Sequence, residues 1–132
     1  MPAVGDVKLN PGRADYPEEG YRSRFDHATE KAVPGYYEVI LDDYGIKAQL
    51  TATQRTGIHK YTFPKGEDGH LILDLVHGIY NYDGKVLWAN LRVENDTLLT
   101  GYRITNGWAR TNYTYFATVS YTHLTLPTKL EV

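Results

Sequence analysis

The stretch PGYYEVILDDYGIKAQLTATQRTGIHKYTFP, residues 34–64, contains two runs in which every second side chain is apolar, residues 37–41 and 46–52. A period of two places successive side chains on opposite faces of a strand. Between the runs, Asp42-Asp43-Tyr44-Gly45 supplies a turn, because Gly adopts a left-handed conformation at little cost. The stretch therefore predicts a β-hairpin with one buried and one wetted face.

Five further segments have the composition of strands, and clusters of Gly, Asn and Asp separate most of them. They are residues 58–63, 71–76, 86–93, 98–105 and 113–119. Residues 71–76 are nearly all apolar, which predicts a strand covered on both faces. No segment has the 3.6-residue period of a long helix. Short strands with turns between them predict an all-β fold, an antiparallel β-sandwich or a barrel.

The first 34 residues are less regular than the rest. Residues 1–10 predict one short strand that ends near the turn signal Asn10-Pro11-Gly12. Residues 13–34 show no clear period and predict a long surface loop. Long loops in compact domains are usually functional or packed on a neighbour, so this segment is a candidate for either role.

The composition excludes several classes of protein. The 132 residues suit one domain, and the net charge of −2 provides no basic field for a nucleic acid. No apolar run is long enough to span a membrane. With no Cys, the chain has neither a disulfide scaffold nor a thiolate metal site. The 12 Tyr residues favour pleated surfaces, where a ring packs flat and its hydroxyl stays wet.

Three aspartates could in principle serve in catalysis, but for each of them a structural role is the better interpretation. Asp42 and Asp43 stand in a hairpin turn, where Asp forms local hydrogen bonds. Asp74 lies within an apolar run, so it needs a buried partner, which His77 or an Arg could supply. These three carboxylates are therefore interpreted as structural groups.

Motifs for a nucleophile, a nucleotide or a metal are absent from the sequence. The five His residues show neither HxH nor HExxH spacing, and there is no GxSxG, P-loop or GxGxxG. Trp88 and Trp108 are interpreted as packing residues, with sugar stacking as the alternative. The residues alone thus predict an all-β domain with no catalytic residue, no metal site and no self-contained active site.

Three segments together resemble glycoside hydrolase family 92. They are FDHATEKAVPGYYEVILDDYGIKAQLTATQRTGIHKYTFP, residues 25–64; LILDLVHG, residues 71–78; and GYRITNGWA, residues 101–109. Members of that family are calcium-dependent, inverting, exo-acting α-mannosidases, mostly from bacteria that degrade glycans. An N-terminal β-sandwich precedes a large (α/α) barrel that holds the general acid, the base and the calcium ligands. The resemblance implies that this chain is an incomplete part of the sandwich, cut at both ends.

For the parent enzyme, the resemblance implies a mannose-containing glycan as substrate and a periplasmic, cell-surface or secreted location. The fragment itself would be scaffold that braces the carbohydrate site, with no cofactor of its own, because calcium would be bound by the missing barrel. Its partners would be that barrel and the glycan, not a nucleic acid or a membrane. Asp26, His27 and Glu30 lie in the aperiodic loop before PGYY. We predict them as ligand-binding contacts, with a structural latch as the alternative.

The resemblance also sets the predicted domain boundary. Residues 1–119 form the partial sandwich domain, whereas residues 120–132, SYTHLTLPTKLEV, depart from the family pattern. We interpret this tail as translated sequencing-adaptor readthrough. A second hypothesis makes the chain a stand-alone, non-catalytic carbohydrate-binding β-sandwich that stacks sugars on Tyr and Trp. A fragment should expose apolar surface where missing parts belong, whereas a binding module should have paired edges.

Overall fold

The structure, a computed structural model, describes residues 1–78, 80 and 82–121 of the chain. It divides into two compact units, Met1–Asp74 and Leu75–Val132. The described residues form nine strands and two short 3-10 turns, and no α-helix occurs among them. The strands are β1 Pro2–Val4, β2 Lys31–Val33, β3 Tyr36–Leu41, β4 Ile46–Ala52, β5 Gly57–Thr62, β6 Gly69–Leu71, β7 Val86–Asn95, β8 Leu98–Thr105 and β9 Asn112–Val119.

The first unit contains two antiparallel sheets. Sheet I has the order β1-β6, and sheet II has the order β2-β3-β4-β5. In the central hairpin of sheet II, Val39 lies opposite Ala48 and Leu41 opposite Ile46. Gly45 closes the hairpin turn with a φ of +62°, a left-handed conformation that glycine adopts without strain. The hairpin predicted for residues 37–52 is therefore confirmed.

One face of sheet II forms the core of the first unit. Val39 and Ala48 are 6% and 5% exposed, and Ile46 is fully buried. Register and alternation put these three side chains on the same face. Pro2, Ala3 and Tyr21 are the other buried side chains among the described residues. Burying one such aliphatic side chain stabilises a fold by about 1.5–3 kcal/mol.

The opposite face of sheet II is polar and hydrogen-bonded across its strands. The Gln49 amide donates to the Tyr36 hydroxyl at 2.8 Å and to the Glu38 carboxylate at 3.2 Å. Lys47 forms an ion pair with Glu38 at 3.0 Å. The hydrogen bond from Tyr36 and that from Lys47 lower the pKa of Glu38. The predicted division into a buried and a wetted face is thus present.

The N-terminal segment is more ordered than the sequence predicted. Strand β1 ends at Val4, well before Asn10, because the next residue, Gly5, turns the chain with a φ of +80°. The expected loop of residues 13–34 contains the 3-10 turns Pro17–Glu19 and His27–Thr29, and it ends in strand β2. Strand β2 pairs with β3 and so forms one edge of sheet II.

The prediction that residues 71–76 form a strand covered on both faces is wrong. Strand β6 ends at Leu71, since its partner β1 is only three residues long. Leu71, Leu73 and Val76 are 57%, 48% and 68% exposed. Asp74 accepts a hydrogen bond from the Tyr21 hydroxyl at 2.6 Å, and burial followed by this bond raises the pKa of Tyr21. The structure thus shows Tyr21 as a partner of Asp74.

The second unit is built on sheet III, with the strand order β7-β8-β9. Strand β8 is central, and β-bulges interrupt its pairing with β7 at Leu87 and at Glu94. The Arg103 guanidinium donates to the backbone carbonyls of Leu75 and His77 at 3.3 and 3.0 Å, which ties the preceding segment to β8. No described side chain of this unit is fully buried. Its strands confirm those predicted near residues 86–119.

Three antiparallel sheets, with no α-helix in the part of the chain that the structure describes, confirm the all-β, antiparallel class and are consistent with the predicted β-sandwich. Residues 122–132 of the predicted tail lie outside the described residues. Ser120, the first residue assigned to that tail, donates its backbone N–H to the Thr97 carbonyl at 2.7 Å. The domain boundary at residue 119 stays a prediction.

Candidate functional site

The second 3-10 turn, His27–Thr29, holds the three residues predicted as ligand contacts at or next to it. Asp26 is its N-cap: one carboxylate oxygen accepts from the Ala28 backbone N–H at 2.8 Å. The Thr29 hydroxyl donates to the Asp26 carbonyl at 2.9 Å. N-capping satisfies donors that the start of a helical turn leaves unpaired. Asp26 therefore shapes the turn itself.

Glu30 fastens this turn to sheet II. One of its carboxylate oxygens accepts from the Tyr37 hydroxyl at 2.6 Å, and the other lies 2.6 Å from Nδ1 of His27. The hydrogen bond from Tyr37, and then the one from His27, lower the pKa of Glu30, because both favour its charged form. The same bond raises the pKa of Tyr37. This contact is the structural latch that the sequence left open as an alternative.

His27 is the outermost residue in the series of hydrogen bonds that runs from Tyr37 through Glu30 to His27. Its side chain is 87% exposed, whereas that of Glu30 is only 25% exposed. The hydrogen bond to Glu30 raises the pKa of His27 and directs Nδ1 inward. Phe25 meets the imidazole edge-on, with ring centroids 5.4 Å apart. The ring is therefore oriented by its neighbours while its Nε2 side remains open to a ligand.

An open groove of about 440 Å³ lies beside this latch. It is the continuation of the core face of sheet II, where one row across the four strands consists of Ala32, Tyr37, Leu50 and His59. His59 Nδ1 lies 2.8 Å from the Tyr61 hydroxyl. Ten residues line the groove: Ala32, Val33, Gly35, Tyr36, Tyr37, Leu50, Thr51, Ala52, Gly57 and His59.

Sequence reasoning singled out neither Tyr37 nor His59 as a site residue. The signal was present, because the alternation that it used for the hairpin also places residues 37, 50 and 59 on one face. What it could not supply was that strand β2 joins the sheet and brings Glu30 within reach of Tyr37. Tyr37 belongs to both the latch and the groove, and it links them into one site.

Asp43, interpreted from the sequence as a group with local turn hydrogen bonds, instead binds a residue 19 positions earlier in the chain. The Asp43 carboxylate accepts from the Arg24 guanidinium at 3.1 Å, and the Asp43 backbone N–H donates to Ser23 Oγ at 3.1 Å. The hydrogen bond from Arg24 lowers the pKa of Asp43. Within the described ranges, no group of three or more His, Cys, Asp or Glu could hold a metal ion. No described helix is long and apolar enough to cross a bilayer.

The latch predicts a distinctive titration of His27. In the folded chain its imidazole should titrate above 6.5, its ordinary pKa, and Glu30→Gln should lower that pKa toward 6.5 by removing the charge. Glu67→Gln, at an exposed turn position, should leave it unchanged. The measurement is an NMR titration of the histidine ring protons. Equal His27 pKa values in the parent chain and Glu30→Gln would contradict the latch.

The same pair gives stability a defined pH dependence. The folded-state pKa of His27 is raised. Its contribution to the free energy of unfolding is therefore fully present below pH 6.5 and is lost as the pH rises through the raised value. The folded-state pKa of Glu30 is lowered, so its contribution is present above about 4.5 and is lost as the pH falls through the lowered value. Between these limits both charges stabilise the turn.

Comparison with known proteins identifies the family. The family model of the glycosyl hydrolase family 92 N-terminal domain matches residues 1–126. The chain belongs to this family. Among solved structures, the family 92 α-mannosidase BT3965 from Bacteroides thetaiotaomicron is similar to it, with a TM-score of 0.84 and 37% sequence identity. The structure of that α-mannosidase in complex with mannoimidazole gives the same values.

These matches cover very different shares of the two chains that are compared. They cover 94% of this chain but only 16% of the Bacteroides thetaiotaomicron chain, so this family 92 chain spans about one-sixth of that relative's length. No curated protein sequence matches the chain. The resemblance read from residues 25–64, 71–78 and 101–109 is thus confirmed, and the ligand-binding role of Asp26, His27 and Glu30 stays a prediction.

Proposed function

We propose that this chain is the scaffold part of a calcium-dependent, inverting exo-α-mannosidase that hydrolyses terminal α-mannosyl linkages of glycans. The observation that carries the proposal is the similarity of 94% of the chain to one-sixth of an α-mannosidase, at 37% identity. The family match over residues 1–126 supports it. In this proposal the first and second units brace a carbohydrate site whose reacting groups lie on an (α/α) barrel outside residues 1–132.

The carboxylates of the described chain support a scaffold role. Inverting glycosidases place two carboxyl groups about 6.5–9.5 Å apart across a cleft, with room for a water between them. Here Asp26 caps a turn, Glu30 holds Tyr37 and His27, and Asp43 pairs with Arg24. Asp74 accepts from Tyr21. Each of these groups already has a structural partner that a catalytic acid or base would have to give up.

Calcium does not fit the described residues. The ion takes six to eight oxygen ligands, mostly from carboxylates and carbonyls, and the described chain brings no three acidic or histidine side chains together in a metal-binding group. We therefore assign calcium to the proposed barrel.

His27 is the residue through which this scaffold would touch the substrate or the barrel. Its ring is 87% exposed and fixed through Nδ1, so Nε2 can donate a hydrogen bond to a sugar hydroxyl or a carbonyl. Asp26 and Glu30 act behind it by shaping the turn and orienting the ring. We infer a periplasmic, cell-surface or secreted location for the parent, because its glycan substrates lie outside the cytoplasm.

The proposal predicts that the chain alone has no α-mannosidase activity. The purified, folded chain, supplied with calcium and 4-nitrophenyl α-mannoside, should release no nitrophenol above the uncatalysed rate, because the acid and base are not on it. The Bacteroides thetaiotaomicron α-mannosidase, assayed in parallel, should release it. Turnover by the chain that disappears in the variant His27→Ala would show a catalytic site here and would overturn the scaffold role.

A further inference from the structure

Two histidines of the candidate site each turn Nδ1 toward a side-chain partner, and the two partners differ in kind. Nδ1 of His27 lies 2.6 Å from a carboxylate oxygen of Glu30. Nδ1 of His59 lies 2.8 Å from the hydroxyl oxygen of Tyr61. A neutral imidazole carries one N–H, so if one ring nitrogen donates, the other is an acceptor. The partner at Nδ1 therefore decides what Nε2 offers to a ligand.

The partner of His27 is a hydrogen-bond acceptor. An ionised carboxylate has no proton to give. The hydrogen bond from the Tyr37 hydroxyl lowers the pKa of Glu30, which keeps that carboxylate ionised. The same bond raises the pKa of Tyr37, so its hydroxyl keeps its own proton and remains a donor. The proton between His27 and Glu30 therefore resides on Nδ1, and Nε2 of the neutral ring has an available lone pair.

The partner of His59 is a hydrogen-bond donor. A phenol hydroxyl has a proton to give, and a neutral imidazole nitrogen is a stronger base than a phenol oxygen, so the bond runs from O–H to N. Burial raises the pKa of Tyr61, so its hydroxyl keeps this proton. The two rings meet edge-on, with centroids 5.9 Å apart. His59 therefore accepts at Nδ1 and carries its own proton on Nε2.

Both Nε2 atoms are accessible from outside. The side chain of His27 is 87% exposed. His59 is exposed in strand β5 and lines the groove beside Gly57, where an added Cβ would come within 3.4 Å of Nε2. The missing side chain at Gly57 thus leaves this nitrogen uncovered. Tyr37, which holds Glu30, stands in one row across sheet II with His59, separated from it by Leu50.

We propose that the two histidines are held in opposite tautomers, so that neutral His27 offers a hydrogen-bond acceptor at Nε2 and neutral His59 offers a donor there. Tyr37 and Glu30 are then positioning residues for His27, and Tyr61 is one for His59. A group that meets neutral His27 must bring an O–H or N–H, because donation by its Nε2 requires the imidazolium form. A group that meets His59 must bring a lone pair. A sugar hydroxyl meets both conditions, whereas a carbonyl meets only the second.

The tautomers can be measured directly by long-range proton–nitrogen correlation NMR of the isotope-labelled full chain. Protonated and unprotonated ring nitrogens resonate in separate regions and couple differently to the ring protons. At about pH 9, above the usual range of histidine pKa values, both rings are neutral. His27 should show a protonated Nδ1 and an unprotonated Nε2, and His59 should show the reverse. Loss of one set of signals in His27→Ala, and of the other in His59→Ala, assigns them.

Substitution of each partner then tests its positioning role. Glu30→Ala removes the acceptor at Nδ1 of His27, and the ring should shift to the Nε2–H tautomer that a solvated imidazole favours, while His59 stays unchanged. Tyr61→Phe should raise the Nδ1–H fraction of His59 and leave His27 unchanged. Glu67→Ala, at an exposed turn position, should change neither. A merely structural role of these partners would alter stability and leave the tautomers as they are.

The parent spectrum decides the proposal even where a variant does not fold. A proton on Nε2 of neutral His27, or on Nδ1 of neutral His59, would overturn it. A tautomer of His27 that is the same in folded Glu30→Ala as in the parent chain would overturn the positioning role.

These outcomes are distinct from those of the proposed function. That either histidine contacts a glycan rests on the proposed function, whereas the tautomers do not. Opposite tautomers in a chain whose parent hydrolyses no α-mannoside would support this inference and refute the proposed function. Equal tautomers would overturn this inference and leave the family assignment intact, since that rests on the match over residues 1–126.

Discussion

Ile46→Ala is expected to lower the free energy of unfolding of the first unit by about 2–5 kcal/mol. Ile46 is fully buried on the core face of sheet II, where it lies opposite Leu41 and shares the face with Val39 and Ala48 of the same hairpin. The first unit has only six buried side chains among its described residues, so its core is small. Ile46 is the largest side chain that is fully buried, and removing it leaves a cavity that few neighbours can fill.

The matched control is Ile58→Ala. Ile58 lies in strand β5 of the same sheet but is 60% exposed, so its truncation should change the free energy of unfolding by less than about 0.5 kcal/mol. Urea denaturation of the whole chain gives the change in stability, and hydrogen exchange of the β3 and β4 amides locates it in the first unit. Equal losses for the two variants would show that the core does not lie on this face.

Gly20→Ala should destabilise the first unit by about 3 kcal/mol, through overlap with backbone that cannot move aside. A Cβ at this position would lie 2.0 Å from the Gly12 nitrogen, 2.3 Å from the Pro11 carbonyl carbon and 2.5 Å from the Asn10 oxygen. The φ of Gly20 is −143°, an extended conformation open to alanine, so the cost is steric. Next to it, the Tyr21 N–H donates to the Asn10 carbonyl at 2.9 Å.

Gly57→Ala is the control for this second substitution. The nearest atom to an added Cβ there is Nε2 of His59 at 3.4 Å, an ordinary contact with a movable side chain. We expect a change in the free energy of unfolding of less than about 1 kcal/mol. The same urea denaturation measures both variants. A Gly20→Ala chain as stable as Gly57→Ala would contradict the close approach of residues 10–12 to residue 20.

Local pattern was enough to predict the regular strands. In the hairpin of residues 37–52, the period of two, the turn residues and the burial all favour the same structure, and the strands near residues 86–119 follow the same rule. The prediction of a strand at residues 71–76 was wrong because an apolar run shows only that the segment needs to be covered. It does not show that a partner strand of equal length exists. Strand β1 provides only three residues, so the pairing stops at Leu71.

The candidate site depends on contacts between side chains that no sequence pattern places next to each other. Asp26, His27 and Glu30 were predicted as one group, and the structure brings them together around one 3-10 turn. Their division into an exposed ring and two positioning carboxylates could not be predicted, since it depends on the Tyr37 hydroxyl reaching Glu30 across the β2–β3 pairing.

The most direct measurement of the scaffold role is the α-mannosidase activity of an exchange protein. In it, residues 1–119 of this chain replace the corresponding segment of the Bacteroides thetaiotaomicron α-mannosidase, whose structure matches 94% of this chain with a TM-score of 0.84. With calcium and 4-nitrophenyl α-mannoside, we predict kcat/KM within about one order of magnitude of that relative, and a clear loss when His27→Ala is added. A folded exchange protein that binds calcium and hydrolyses no α-mannoside would contradict the account.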